Sequence, residues 1–398
     1  METHVLREPV RLLFRSALLI FLVTIVIGIL NGIDVWDPTR EMVLTHVHAG
    51  TIGWITLSVV GVAFLLFGGQ ADPTRATRLA QATVGATVLY VVAFATTTGL
   101  FRPIAGTLML VAIAWVVWWA AKQWKTTPHT VPALALLLAL VSLLAGAILG
   151  VILGIFIAQG SVPGLDAETA GNLGGAHPPA MLAGYLILAG IAIAEWRLED
   201  QPALARDSKL GSTIAWGLFG AGILFNLAFI LDNEALIQPA SMLQVLGIVA
   251  FVVRMRQHLV PSAWKGAGTK VYAKLASVFL VIGVALLVYV VQLFVSGELN
   301  PETGEGPVGV LIAFDHAMFI GVMTNVLFAG LALGLVYDTA QRVIVWGVNV
   351  GLVGFLAGLV TDTTILKQIF TPIMGLALIH AVVVFFRRLG ETASAGVT

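Results

Sequence analysis

Long apolar segments recur along the whole chain, and short stretches between them hold most of the charged residues. Apolar residues run continuously within each segment rather than alternating with polar ones, which favours membrane helices over barrel strands. A spanning helix needs about 20 apolar residues. Twelve segments reach that length, and we predict spans at about residues 10–32, 45–69, 77–99, 103–123, 131–158, 175–197, 211–231, 238–256, 273–297, 307–337, 343–361 and 366–386.

Composition supports the same fold class. Of the 398 residues, 59% are hydrophobic and 11% are charged, which is too apolar for a soluble protein and typical of an integral membrane protein. No segment is long and polar enough to form a separate soluble domain, so we predict a single all-α membrane domain over residues 1–398. The absence of cysteine excludes disulfides, thiolate metal sites, iron–sulfur clusters and covalently attached c-type haem.

The charges are distributed unevenly between the two sides of the predicted membrane domain. Eighteen of the 21 Lys and Arg residues fall on the side of the N-terminus, and only Arg40, Arg102 and Lys367 fall on the other. Basic loops stay in the cytoplasm, so we expect both termini to be cytoplasmic in a multi-pass protein of the plasma (inner) membrane. The first span lacks a small-residue cleavage site, and we expect it to be retained.

Three of the predicted spans, the second, sixth and tenth, open on similar sequences: THVHAGTIGWITLSVVG, GAHPPAMLAGYLILAG and FDHAMFIGVMTNVLFAG. His46 and His177 each precede a Gly-aromatic pair by seven residues, and His48 and His316 each precede a Gly by five. This spacing predicts three pseudo-symmetric four-helix units, and in such repeats the functional site usually lies where the units meet. The approximate units are residues 1–127, 128–260 and 261–398.

The histidines are the candidate chemistry, because histidine inside a span usually faces a polar cavity, a partner or a cofactor. At 100° per residue, His46 and His48 differ by about 200° and project from nearly opposite sides of their helix. They cannot chelate one ion, but each could serve a site on its own flank. Neutral imidazoles from two facing helices are good axial ligands for haem iron.

The sequence His46-Val47-His48-Ala49-Gly50, followed by Gly53-Trp54, resembles the HxH helix of the haem–copper oxidase superfamily. The similarity is greatest to the catalytic subunit I of C-type (cb-type) cytochrome oxidases and of nitric oxide reductases. The resemblance implies twelve spans in three four-helix arcs and one or two haems b. It also implies that His46 ligates a high-spin haem and His48 a low-spin haem, with His177 or His316 on the other side.

Two features depart from that family. Its HxH motif lies near the tenth span, whereas here it lies in the second. Its copper site needs two adjacent histidines on a helix after the single one, and the spans at 77–99, 211–231 and 343–361 contain no histidine. We therefore expect a divergent member without a copper centre.

These observations support two hypotheses about function. The first is a membrane b-type haem protein in electron transfer, or in binding or reduction of oxygen or nitric oxide near the outer face. Its electron donor would be a small cytochrome or a quinol, and any enzymatic activity would be that of an oxidoreductase; we expect lipid contact and no nucleic-acid partner. The alternative is a transporter or metal-ion permease with a histidine-lined path.

A few further residues have two interpretations each. Arg40 and Arg102 could pair with haem propionates or serve as interfacial anchors. His380 could be a ligand or could hydrogen-bond between helices. Asp315 could orient the neighbouring imidazole or be solvated in a loop. Glu195 is expected at the membrane interface, and so is an aromatic belt of Trp36, Trp54, Tyr185 and Phe314.

Overall fold

The computed structural model describes residues 4–299 and 306–394, and within these ranges the protein contains helices and no β-strand, with helix making up 83% of the structure. Twelve helices are long and apolar enough to cross a membrane, which confirms the predicted number of spans and the all-α class. In chain order they are α1 (Arg7–Gly32), α2 (Arg40–Gln70), α3 (Pro73–Thr96), α4 (Phe101–Trp124), α5 (Val131–Gln159), α6 (Ala167–Leu198), α7 (Lys209–Ile230), α8 (Glu234–Arg254), α9 (Gly268–Val295), α10 (Val308–Leu331), α11 (Thr339–Val360) and α12 (Thr364–Glu391).

The helix ends differ from the predicted spans where capping, rather than hydropathy, decides them. Helix α2 begins five residues before its apolar segment, because the Thr39 side chain accepts a hydrogen bond from the Met42 amide. Helix α6 begins eight residues early, where Asp166 caps the amide of Thr169. Helix α10 is shorter than predicted at its C-terminal end, because the chain turns at Gly334, whose φ of 78° ends helical geometry.

Helices α2, α6 and α10 form the centre of the bundle. In their most apolar windows 83%, 78% and 67% of residues are buried, whereas no other span exceeds 56%. The outer helices approach the centre closely at glycines. A Cβ on Gly222 of α7 would lie only 2.7 Å from the Cα of Gly184 in α6, so this crossing requires glycine.

Each central helix contains a stretch of wider, π-helical turns at a corresponding position. These stretches are Ala49–Thr56, Ala180–Leu186 and Ala317–Thr324. Two threonine hydroxyls donate hydrogen bonds to backbone carbonyls in these stretches. Thr56 donates to the carbonyl of Thr51 at 2.9 Å, and Thr324 donates to that of Phe319 at 2.9 Å. Such stretches are rare in proteins as a whole, and those that occur are often found at functional sites. Their recurrence supports the threefold division of the chain, which remains an interpretation.

Two aromatic side chains join the central helices. Trp54 of α2 donates from Nε1 to the Thr324 hydroxyl of α10 at 3.0 Å, and the Tyr185 hydroxyl of α6 donates to that of Thr56 at 3.3 Å. Trp54 is 1% exposed and Tyr185 is not exposed at all. The expectation that these two rings belong to an interfacial belt is therefore wrong. They are packed between the central helices, where their polar atoms need a partner.

Glu195, expected near the membrane interface at the end of its helix, is buried within the bundle. Its side chain is 1% exposed and forms an ion pair with Arg254 at the end of α8. Helix α6 buries this carboxylate because a cation from a neighbouring helix compensates it. The two ends of the bundle are named below as the terminal face, where α1 begins and α12 ends, and the opposite, histidine face.

Candidate functional site

Four histidines lie at the histidine face, each in the turn that precedes or adjoins a π-helical stretch. His46 and His48 lie on different flanks of α2, and each has a histidine of another central helix on its own flank. The rings of His46 and His316 have centroids 6.3 Å apart and planes 26° apart, between α2 and α10. His48 lies within electrostatic interaction distance of His177, between α2 and α6. The opposite projection predicted for the two histidines of α2 accounts for this separation.

The Nδ1 atom of every one of these rings faces a backbone carbonyl oxygen. A carbonyl can only accept a hydrogen bond, so each Nδ1 carries the proton and the neutral ring presents the lone pair of Nε2. Metal-bound histidines are oriented in this way in proteins. The partners are Thr24 for His46 at 2.9 Å, Leu44 for His48 at 2.7 Å, Gly146 for His177 at 2.8 Å and Ile312 for His316 at 2.8 Å.

The four rings are held in two different ways. His48 and His316 bond to the carbonyl four residues earlier in their own helix. His46 and His177 instead bond to the preceding helix, α1 or α5, and each lies against a glycine one turn beyond the accepting carbonyl. A Cβ on Gly28 would lie 3.0 Å from Cε1 of His46, and one on Gly150 would lie 2.8 Å from Cε1 of His177.

Each pair combines one ring of each kind. If the three π-helical stretches are aligned, His46 and His177 occupy one position and His48 and His316 the other. At the flank between α6 and α10, the same two positions hold Phe314 and Pro179. Two of the three flanks of the central helices thus carry a histidine pair.

The surroundings of three of the four rings are aromatic. His48 stacks on Phe94 with centroids 4.0 Å apart and meets the edge of Tyr90 at 5.5 Å. His316 meets the edge of Phe355 at 5.1 Å. All four histidines remain partly exposed although their helices are the most buried of the bundle.

Arg102 reaches the same region from the start of α4. Its guanidinium lies 5.1 Å from the centroid of Phe94, the ring that stacks on His48, and its Nη2 donates to the Phe94 carbonyl at 2.9 Å. Its Nε is buried and has no hydrogen-bond partner among the described residues. A carboxylate beside His48 would complete this arrangement. Arg40 is exposed at the first residue of α2.

Two other candidates lie apart from the pairs. His380 makes no ring contact with the four histidines within the described ranges, and its Nε2 is buried there without a hydrogen-bond partner. The hydrogen bond between helices considered for His380 therefore does not involve Nε2. Asp315 does not orient its neighbour, because the Nδ1 atom of His316 is bonded to Ile312.

The residues fit a haem better than a cluster of metal ligands. No group of three or more His, Cys, Asp or Glu residues that could hold a metal ion occurs in residues 4–299 and 306–394. Two imidazoles on opposite sides of one metal have centroids roughly 6 Å apart, since each metal–nitrogen bond is about 2 Å and each nitrogen lies about 1 Å from its ring centroid. The separation of His46 and His316 agrees with this value.

A comparison with models of known protein families found no match, and a comparison with curated proteins found no similar sequence. The interpretation of the site therefore depends on the histidine geometry and on the HxH motif.

Proposed function

We propose that this multi-pass membrane protein is a b-type haem protein related to the catalytic subunit of haem–copper oxidases. His46 and His316 would hold one haem, and His48 and His177 a second. Both termini would be cytoplasmic, in the plasma (inner) membrane, with the histidine face outward. The observation that carries the proposal is the 6.3 Å separation of the His46 and His316 rings, whose Nδ1 atoms are both bonded to carbonyls, so that both Nε2 atoms are left to bind an iron.

The pairing favours electron transfer over reduction of a gas. A bound haem would supply one-electron oxidation and reduction, and reduction of oxygen or nitric oxide would also need a vacant position on the iron. Two imidazoles would hold each haem iron in the proposed sites, so neither iron would keep a position open for a gas. This differs from the open-site role that the family resemblance gives to His46.

The HxH spacing would place the two haems beside each other rather than one above the other. His46 and His48 belong to the same turn of α2, and each faces a different neighbour. Electrons would then move between the two sites along the histidine face. A small cytochrome or a quinol arriving at that face is the donor that fits this arrangement.

Arg102 supplies a further reason for a haem at the His48 flank. Haem b carries two propionate carboxylates, and a half-buried guanidinium whose Nε has no partner among the described residues is a strong partner for such an anion. The transporter alternative receives less support. A path along the axis of the three central helices would meet Trp54 and Tyr185, which fill that space and are bonded to threonines there.

The proposal is tested by optical spectroscopy of the purified protein. We expect a Soret band, the narrow α-band of six-coordinate haem b after reduction with dithionite, and two haems per chain from the pyridine haemochrome. Carbon monoxide should leave the reduced spectrum almost unchanged, because imidazoles occupy both axial positions. The absence of Soret absorption would overturn the haem assignment, and a complete carbon monoxide shift would overturn the bis-histidine pairing.

A further inference from the structure

A cavity of about 630 Å³ opens at the terminal face, at the end of the bundle opposite the histidine pairs. It lies between the end of α6, the start of α9 and the chain that follows α10. Its polar and charged lining includes Arg197, Asp200, His258, Lys270, Lys274 and Tyr337. This end of the bundle takes no part in the proposed haem sites.

Some of these charges compensate each other. Lys270 donates to the Asp200 carboxylate at 2.8 Å and to the Leu198 carbonyl at 3.1 Å. The hydrogen bond from Lys270 holds the pKa of Asp200 below its ordinary value, so the carboxylate remains charged. His258 lies 3.1 Å from the Glu199 carboxylate. Both carboxylates at the end of α6 therefore already have a partner.

Two cations form no direct ion pair with a carboxylate among the described residues, although Arg197 is attracted at longer range by Asp200, which Lys270 already holds. Lys274 is 3% exposed, and its Nζ donates to the carbonyl of His258. Arg197 is largely buried and donates from Nε to the carbonyl of Ala329 at 2.9 Å. Carbonyl oxygens satisfy hydrogen bonds but do not neutralise charge, and buried charges are normally paired. The cavity thus contains positive charge in excess of its own acids.

The start of α9 adds donors to the same cavity. Gly268, Thr269 and Lys270 line it, at the first turn of a helix of 28 residues. The Lys270 amide is bonded to the carbonyl of Ala267, whereas the first amides of a helix have no partner within it, and the helix dipole favours an anion there. Gly266 and Gly268 have φ angles of 73° and 56°, and open space lies beside both, so the loop can approach a ligand with its backbone.

We propose that this cavity binds a phosphate group carried by a larger molecule. Lys274, Arg197 and the start of α9 provide the charge and the donors, and Tyr337 also lines the cavity. The cavity is much larger than a bare ion requires, which suits a phosphate ester. Its position at the end of the spanning helices is where an anionic lipid head group would enter, although a soluble phosphate compound would meet the same chemistry.

The experiment uses the full chain and measures its unfolding temperature. One arm compares nanodiscs of phosphatidylcholine with and without phosphatidic acid. The other adds inorganic phosphate or a nucleoside monophosphate to protein in a neutral detergent. Stabilisation by phosphatidic acid alone would identify a lipid site, and stabilisation by the soluble compounds would identify a soluble phosphate site.

Variants then locate the binding. In Lys274→Met and Arg197→Gln we expect roughly tenfold weaker apparent binding, as for loss of a charge-assisted hydrogen bond. Lys270→Gln is a milder variant with a more exposed side chain, in case the first two fold poorly. Arg206→Gln is the control, because Arg206 is an exposed cation paired with Asp207. No stabilisation in either arm, or equal stabilisation of the control and all three cavity variants, would overturn the proposal.

Discussion

The imidazole rings of His46 and His316, which belong to the second and tenth spans, lie with their centroids 6.3 Å apart. The sequence left open whether His48 would pair with His177 or with His316. In the structure His316 lies beside His46, and His48 interacts electrostatically with His177. Helix α2 therefore contributes one histidine to each of two separate sites.

Loss of haem should follow this pairing. We expect His46→Ala and His316→Ala each to remove about half of the bound haem, and the double variant to remove no more, because both residues would serve one iron. His48→Ala and His177→Ala should remove the other half. Haemochrome quantification measures these outcomes, and His380→Ala is the control that should retain both haems. Two losses that add within one pair would contradict the pairing.

The glycines beside His46 and His177 should be required at their positions. In Gly150→Ala the new methyl group would lie 2.8 Å from the ring of His177, so the imidazole must shift. We expect that variant to lose or distort only the haem of the His48 pair, and Gly28→Ala only that of the His46 pair. Gly85→Ala is the control, since nothing lies within 4 Å of its Cβ and alanine should stabilise the helix by about 0.5–1 kcal/mol. Unchanged spectra in both site variants would contradict the expected crowding.

Arg102 should affect one haem and not the other. Removing a cation near one haem favours its oxidised form, so Arg102→Gln should lower the midpoint potential at the His48 flank by on the order of 60 mV, about tenfold in the one-electron equilibrium. Redox titration followed by optical spectroscopy would resolve the two potentials. Arg40→Gln is the matched control, because Arg40 is exposed at the start of the same region. Equal shifts in both variants would mean that the effect is general surface charge.

The sequence predicts those parts of the molecule that depend on local pattern. The twelve spans follow from the length of the apolar segments, and the two-sided arrangement of His46 and His48 follows from the angle per residue. The carbonyls that fix the rings could not be predicted, because two of them, Thr24 and Gly146, belong to other helices. The same holds for the positions where the central helices widen into π-helical turns.

Burial of the large polar residues could not be predicted for a related reason. A tryptophan or glutamate near the end of an apolar segment is common at membrane interfaces. Trp54 and Glu195 are buried because Thr324 and Arg254, which are distant in sequence, supply a partner for their polar atoms. Such pairs arise from the packing of helices and leave no periodic signal in either segment.

The hydrogen bond between Trp54 and Thr324 should contribute to the stability of the fold. Trp54→Phe removes a buried donor and leaves the Thr324 hydroxyl without it, so we expect a loss of about 1–3 kcal/mol in the free energy of unfolding. Thr324→Val should cost a similar amount, and the double variant less than the sum of the two. Trp118→Phe is the control, because Trp118 is 59% exposed. Denaturant unfolding in detergent measures the differences, and full additivity would show that the two residues do not interact.

Removing one partner of the ion pair between Glu195 and Arg254 should destabilise the protein strongly, whereas replacing both partners by apolar residues should destabilise it less. Their side chains are only 1% and 12% exposed, so Glu195→Gln or Arg254→Met alone leaves a buried charge without its partner. We expect each single variant to lose about 3–5 kcal/mol in the free energy of unfolding. The double variant Glu195→Leu with Arg254→Met should lose less than either, because apolar side chains satisfy the site. Breaking the exposed pair of Arg206 and Asp207 should cost about 0–1 kcal/mol and provides the control. A double variant as unstable as the sum of the singles would show that the two charges do not compensate each other.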